Sequence, residues 1–131
     1  MEKKYYIGLL LAALTMAGCQ ESLNEKCARE CRQYTEKNCP AQIDNHTIID
    51  SMTFEADSRT IHYFYTLTGV ADSVGLLSQE EAHKALKDQL RNTTTMRAYK
   101  EAGFNFAYTY HSQRRPDLVL IEETLTEKDY Q

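Results

Sequence analysis

The sequence predicts an α+β fold: an N-terminal helix, then hairpin, two helices and hairpin, building a four-stranded antiparallel sheet with helices on one face. Three observations predict it. Residues 59–68 and 104–111 alternate with period two and are rich in aromatic and β-branched side chains, as a pleated surface requires. Ser78 followed by Glu81 opens a helix as a capping box, and Gly103 closes the helical region in a left-handed conformation. Short polar connections at residues 56–58 and 112–116 join strand to strand, so each pair closes as an antiparallel hairpin.

The elements follow in order. Residues 21–38 read as a helix, because Leu23, Cys27, Cys31 and Tyr34 recur at helical spacing among charged positions. Pro40 ends it, since the residue before proline is pushed out of the helical region. Residues 47–55 and 59–68 read as strands. In the second, Ile61, Tyr63, Tyr65 and Leu67 share one face, and His62, Phe64, Thr66 and Thr68 the other. Residues 69–77 form a loop. The helix that Ser78 opens presents Ala82, Leu86, Gln89 and Leu90 inward and stops near Asn92. Thr94 or Thr95 caps a shorter helix over residues 96–102. In the third strand Phe104, Phe106, Tyr108 and Tyr110 face one way, and Asn105, Ala107, Thr109 and His111 the other. Residues 118–125 form the last strand.

The N-terminus carries a targeting signal. Lys3 and Lys4 precede an apolar run over residues 7–17. A helix of that length rises roughly 16 Å, about half of a ~30 Å hydrocarbon core, so a cleaved signal fits better than a membrane span. The run ends in Leu14-Thr15-Met16-Ala17-Gly18-Cys19, which resembles the lipobox of bacterial lipoproteins. That resemblance implies that the Cys19 thiol receives a diacylglyceryl group and that the chain is cut just before it. An ordinary secretory signal cut near the same point is the alternative. The organisation expected is a signal peptide over 1–18, a lipidated tether over 19–26 and one α+β domain over 27–131. Two acyl chains hold stably where one binds marginally, so no transmembrane helix is needed. The expected location is the cell envelope, at the outer rather than the inner membrane, facing the periplasm or the surface.

Charge and cysteines narrow the function classes. The chain carries a net charge of −4, and removal of the signal takes away two basic side chains and one acidic one. An acidic chain of this kind excludes nucleic acid as a partner. Cys27, Cys31 and Cys39 remain after lipidation, an odd number. A disulfide from Cys39 to Cys31 or Cys27 is the candidate pairing, with three packed thiols as the alternative. The spacing fits no zinc pattern, and nothing in the sequence calls for a cofactor.

At this point the chain resembles a group of small exported bacterial proteins familiar in gut Bacteroidetes and often lipoproteins. Asn38-Cys39-Pro40 through Asp44, Ile49-Asp50-Ser51 and Thr60 through Leu67 carry the first half of the resemblance. Leu86 to Leu90, Tyr99 through Phe104 and Tyr108-Thr109-Tyr110 carry the second. The group has no established function, so no catalytic or binding residue transfers.

No catalytic constellation is legible. His62 and His111 lie in separate strands and would meet only if those strands pair suitably; His46 and Asp50 supply no telling third ligand. Glu122 and Glu123 are adjacent on a strand and point to opposite faces, unlike a glycosidase pair. Arg114 and Arg115 read as a turn tip. Tyr63, Tyr65, Tyr108 and Tyr110 pack beneath the helices in the simplest arrangement. That leaves His62, Phe64, Thr66, Asn105 and Thr109 on the other face as the candidate binding surface. The sequence therefore points to a non-catalytic binding or assembly module, membrane-held by lipid, with an envelope protein or glycan as partner. An inhibitor or immunity-type protein, or an enzyme whose site is scattered along the chain, are the alternatives.

Overall fold

The computed structural model describes residues 21–131. The signal segment and Cys19 lie outside the described residues. Helix α1 (Leu23–Asn38) is followed by β1 (Ala41–Asp44), β2 (Thr47–Glu55) and β3 (Thr60–Leu67), then by a 3-10 turn (Gly69–Ala71). Helices α2 (Gln79–Asn92) and α3 (Arg97–Glu101) lead to β4 (Asn105–Ser112), β5 (Val119–Leu125) and a final short helix α4 (Glu127–Tyr130).

The fold class is mixed α and β, with helices on one face of a single sheet. Two details correct the expected sheet. It has five strands, in the order β1-β2-β3-β4-β5, and its central pair, β3 with β4, runs parallel. The reason is the connection between them. The chain leaves β3, crosses through α2 and α3, and returns to the starting end, the long crossover that parallel neighbours need. The two hairpins therefore join side by side with their inner strands parallel. The remaining pairs are antiparallel. The fifth strand, β1, follows Pro40 and is only four residues long, too short for its alternation of Ala41 and Ile43 with Gln42 and Asp44 to mark a strand. It forms because Asp44 Oδ1 accepts the His46 amide at 2.8 Å and turns the chain back onto β2.

The helices begin where side chains satisfy their free amides. Ser22 and Glu25 make a capping box at α1, so residues 23–26 form its first turn; Ser78 and Glu81 make another at α2. At the far end of α2, Lys100 donates to the carbonyls of Leu90 (2.8 Å) and Thr93 (2.6 Å). Gly103 has φ +77°, and a Cβ there would lie 2.8 Å from a Glu127 carboxylate oxygen.

The core lies between the sheet and the helices. Phe104, Phe106 and Leu125 are fully buried, with Cys27 and Cys31 from α1, and Leu86 and Leu90 from α2. Gln89, expected to point inward, is exposed. Thr35 of α1 donates to the Met52 carbonyl and accepts its amide, both at 2.9 Å, so a side chain continues β2's outer edge where β1 has ended. The C-terminus closes the core: Tyr130 meets Phe106 edge-on at 5.7 Å and donates to the Phe104 carbonyl at 2.8 Å.

Candidate functional site

Parallel pairing aligns β3 and β4 so that Ile61 faces Phe106, Tyr63 faces Tyr108 and Tyr65 faces Tyr110. The result is a tyrosine ladder on the core side, with centroids 5.2 Å apart for Tyr63–Tyr108 and 4.6 Å for Tyr65–Tyr110. Burial pushes all four hydroxyls up, Tyr110 to about 12. The ring faces are spent on each other, so the ladder offers no open platform for a sugar.

On the helix-free face, His62, Phe64, Thr66, Asn105 and Thr109 are each tied to a neighbour. His62 Nε2 bonds Thr109 Oγ1 at 2.7 Å, and Phe64 stacks on His62 with centroids 4.0 Å apart. Thr66 donates to Asp50 at 2.7 Å, and Asn105 donates to the Ser58 carbonyl at 3.0 Å. His62 stands opposite Ala107 and His111 opposite Thr66, so the two histidines do not meet. His111 Nδ1 is buried without a hydrogen-bond partner among the described residues. The described cysteines are all free thiols. A hydrogen bond with Cys31, then burial, pushes the Cys27 thiol up, and no cluster that could hold a metal occurs among the described residues.

The surface that stands out lies at the other end of the helix side. The loop after β3 is fastened at Asp72, whose side chain is 4% exposed. Its carboxylate accepts the Arg114 backbone amide at 3.0 Å and the Arg114 Nε at 3.3 Å, while the Arg114 guanidinium also reaches the Asp72 carbonyl. The Ser112 hydroxyl, then Arg114, hold Asp72 below the usual carboxylate range. Anchored there, the loop turns apolar residues outward: Val70 is 75% exposed, Val74 73%, Leu76 57% and Leu77 45%. Beneath Leu76 and Leu77 a cleft of about 260 Å³ opens over Leu67, Leu86, Tyr110 and Ile121. Sequence reasoning took this stretch as a plain loop. Its apolar content was readable, but the Asp72 anchor was not, because its partners lie in the β4–β5 turn.

A second cluster was also missed. His83 of α2 faces Glu123 of β5 at 3.0 Å through Nδ1 and Asp129 of α4 at 3.2 Å through Nε2. Only the imidazolium offers two N–H donors, so Glu123 first, then Asp129, raise its pKa. A raised folded-state pKa contributes stability that is full below the unfolded value of about 6.5 and fades as pH climbs through the folded value. Thermal unfolding of the wild type is expected to drop between mildly acidic and mildly alkaline pH, and His83→Gln is expected to flatten that drop. An unchanged pH profile in the variant would show that the cluster does not fasten these three elements.

A family model described as a domain of unknown function (DUF8479) matches residues 22–121. The chain belongs to this family. The DUF8479 match takes in α1, the loop with its cleft and β5 as far as Ile121. No curated protein matches the sequence. Three solved structures share the fold. One is a Pseudomonas aeruginosa protein provisionally described as secreted, with TM-score 0.66 and 11% identity over 86% of this chain and all of the other. Another is the type 2 secretion system pilotin EpsS of Vibrio vulnificus, with TM-score 0.62 and 11% identity over 81% and 89% of the two chains. The third is the type II secretion system pilotin AspS of Vibrio cholerae, with TM-score 0.60 and 12% identity over 87% and 97%. At these identities the likeness is one of fold.

Proposed function

We propose that this DUF8479 protein is a non-catalytic binding or assembly module of the bacterial cell envelope, lipid-anchored at Cys19, which seats an apolar segment of a partner protein. The observation that carries the reading is the apolar rim of Leu76 and Leu77 over the 260 Å³ cleft, with Val70 and Val74 exposed on the same loop. Contiguous exposed apolar surface of this kind marks interaction sites. The loop is held in this pose by a buried carboxylate, so the exposure is built in by Asp72 and Arg114. The pilotin fold supports an envelope assembly role by precedent, and the transfer of that role is part of the proposal. A protein segment fits this site better than a glycan, since the tyrosine faces are covered and the cleft lining is apolar. The helix-free face is the weaker candidate, because its polar groups are bonded to one another.

The test is crosslinking and capture from the native envelope with two sets of variants. Leu76→Asp and Leu77→Asp, at exposed positions on the rim, are expected to abolish partner capture while leaving thermal unfolding nearly unchanged. Phe64→Ser is expected to leave capture intact and lower stability modestly, through loss of its stack on His62. The opposite pattern would move the binding surface to the helix-free face.

A further inference from the structure

The two edges of the sheet are treated differently. The β1 edge is blunted: it is four residues long, follows Pro40, carries an irregularity between Gln42 and Asp44, and yields to the Thr35 side chain along β2. Natural sheets use such devices to stop strangers from pairing with an open edge. At the other edge β5 runs seven residues, VLIEETL, with no proline, lysine or arginine. Among the described residues it pairs with β4 alone, and no other backbone group bonds to it. A row of unpaired amides and carbonyls is therefore open along β5.

The side chains flanking that row differ by face. Ile121 lies on the helix side and lines the apolar cleft with Leu76 and Leu77. Glu122 lies on the helix-free side, is exposed, and forms no ion pair among the described residues. Glu123, by contrast, is engaged by His83. A strand laid along β5 sends alternate side chains to opposite faces. One set would enter the apolar cleft, and the other would stand beside an unpaired carboxylate.

We propose that β5 is a docking edge for strand addition, and that its occupant is an extended partner segment in which apolar residues alternate with lysine or arginine. The apolar residues fill the space beside Ile121, Leu76 and Leu77, and a basic residue meets Glu122. Main-chain bonds supply affinity and the alternation supplies specificity, as in strand-addition complexes generally. A second copy of the chain is a poor occupant, because antiparallel self-pairing brings the acidic pair of one edge against that of the other. This proposal deepens the binding-module reading by naming the mode of docking and the partner's chemistry.

A displayed library of random peptides about nine residues long, enough to span β5, tests it against the full chain purified from its own membranes. Recovered sequences are expected to be proline-poor and to alternate apolar with basic residues. Backbone amide exchange within residues 119–125 is expected to slow about tenfold or more when such a peptide binds. Glu122→Lys is expected to weaken basic peptides roughly fivefold or more and to favour acidic ones. Peptides that protect α2 and the 69–77 loop while leaving β5 exchange unchanged would overturn strand addition and leave the cleft reading standing. Recovery of no binder, protection confined to the helix-free face, or a dimer formed through β5 would each overturn the proposal.

Discussion

Replacing Phe106 with alanine is expected to destabilise the domain by about 3–5 kcal/mol, the cost of emptying a fully buried aromatic site. Domains of this kind hold about 5–15 kcal/mol in all, so the variant should sit near the threshold of folding. Phe106 has no exposed surface, stands opposite Ile61 across the parallel pair, and is closed off by the Tyr130 ring. Its loss therefore opens a cavity between β3, β4 and α4, beneath a Tyr130 ring that its hydrogen bond to the Phe104 carbonyl holds in place. Lys84→Ala, at an exposed position of α2, should stay within about 0.5 kcal/mol. Chemical unfolding of both variants checks the prediction, and equal effects would contradict the placement of the core.

Phe106 also shows what the sequence could and could not convey. Its inward orientation followed from period two, as did those of Ile61, Tyr65 and Tyr108. The capping box at Ser78 and the stop at Gly103 were readable because each depends on residues within one turn. The parallel register was not readable, because alternation says which way a side chain points and nothing about the direction of the neighbouring strand. β1 escaped because four residues are too few for a period to stand out, and its pairing is set by the Asp44 turn. α4 escaped because a single turn shows no apolar period, although Thr126 and Asp129 cap it as a box and Tyr130 docks it in the core.

The site divides in the same way. The five residues of the helix-free face lie together because they share two strands, and alternation finds such sets. The 69–77 loop was passed over because loops have no period, and its anchor pairs Asp72 with Arg114 from a distant turn. His83, Glu123 and Asp129 come from three elements, and only the folded chain brings them within bonding distance. Glu122 and Glu123 were correctly read as facing apart, but the sequence could not say which of them gains a partner.

Cys19→Ala is expected to have the largest effect outside the folded domain. Labelling of the wild type with a radioactive fatty acid should be strong, and in the variant it should vanish, leaving an uncleaved or soluble form. The thiol is the acceptor in the proposed anchor, so no other residue can substitute for it. Undiminished labelling of the variant would place the lipid elsewhere. The residues that follow Cys19 leave little slack: Ser22 already caps α1, and Arg29 holds Glu21 at 2.8 Å. A lipid at Cys19 would therefore hold the start of α1 close to the bilayer.

Site-specific photocrosslinking in living cells tests the central claim most directly. A photoreactive side chain placed at Leu76, on the rim of the cleft, is predicted to give a discrete crosslinked protein product, and one placed at Phe64, on the helix-free face, none. A product from Phe64 with none from Leu76, or no product from either, would contradict the account.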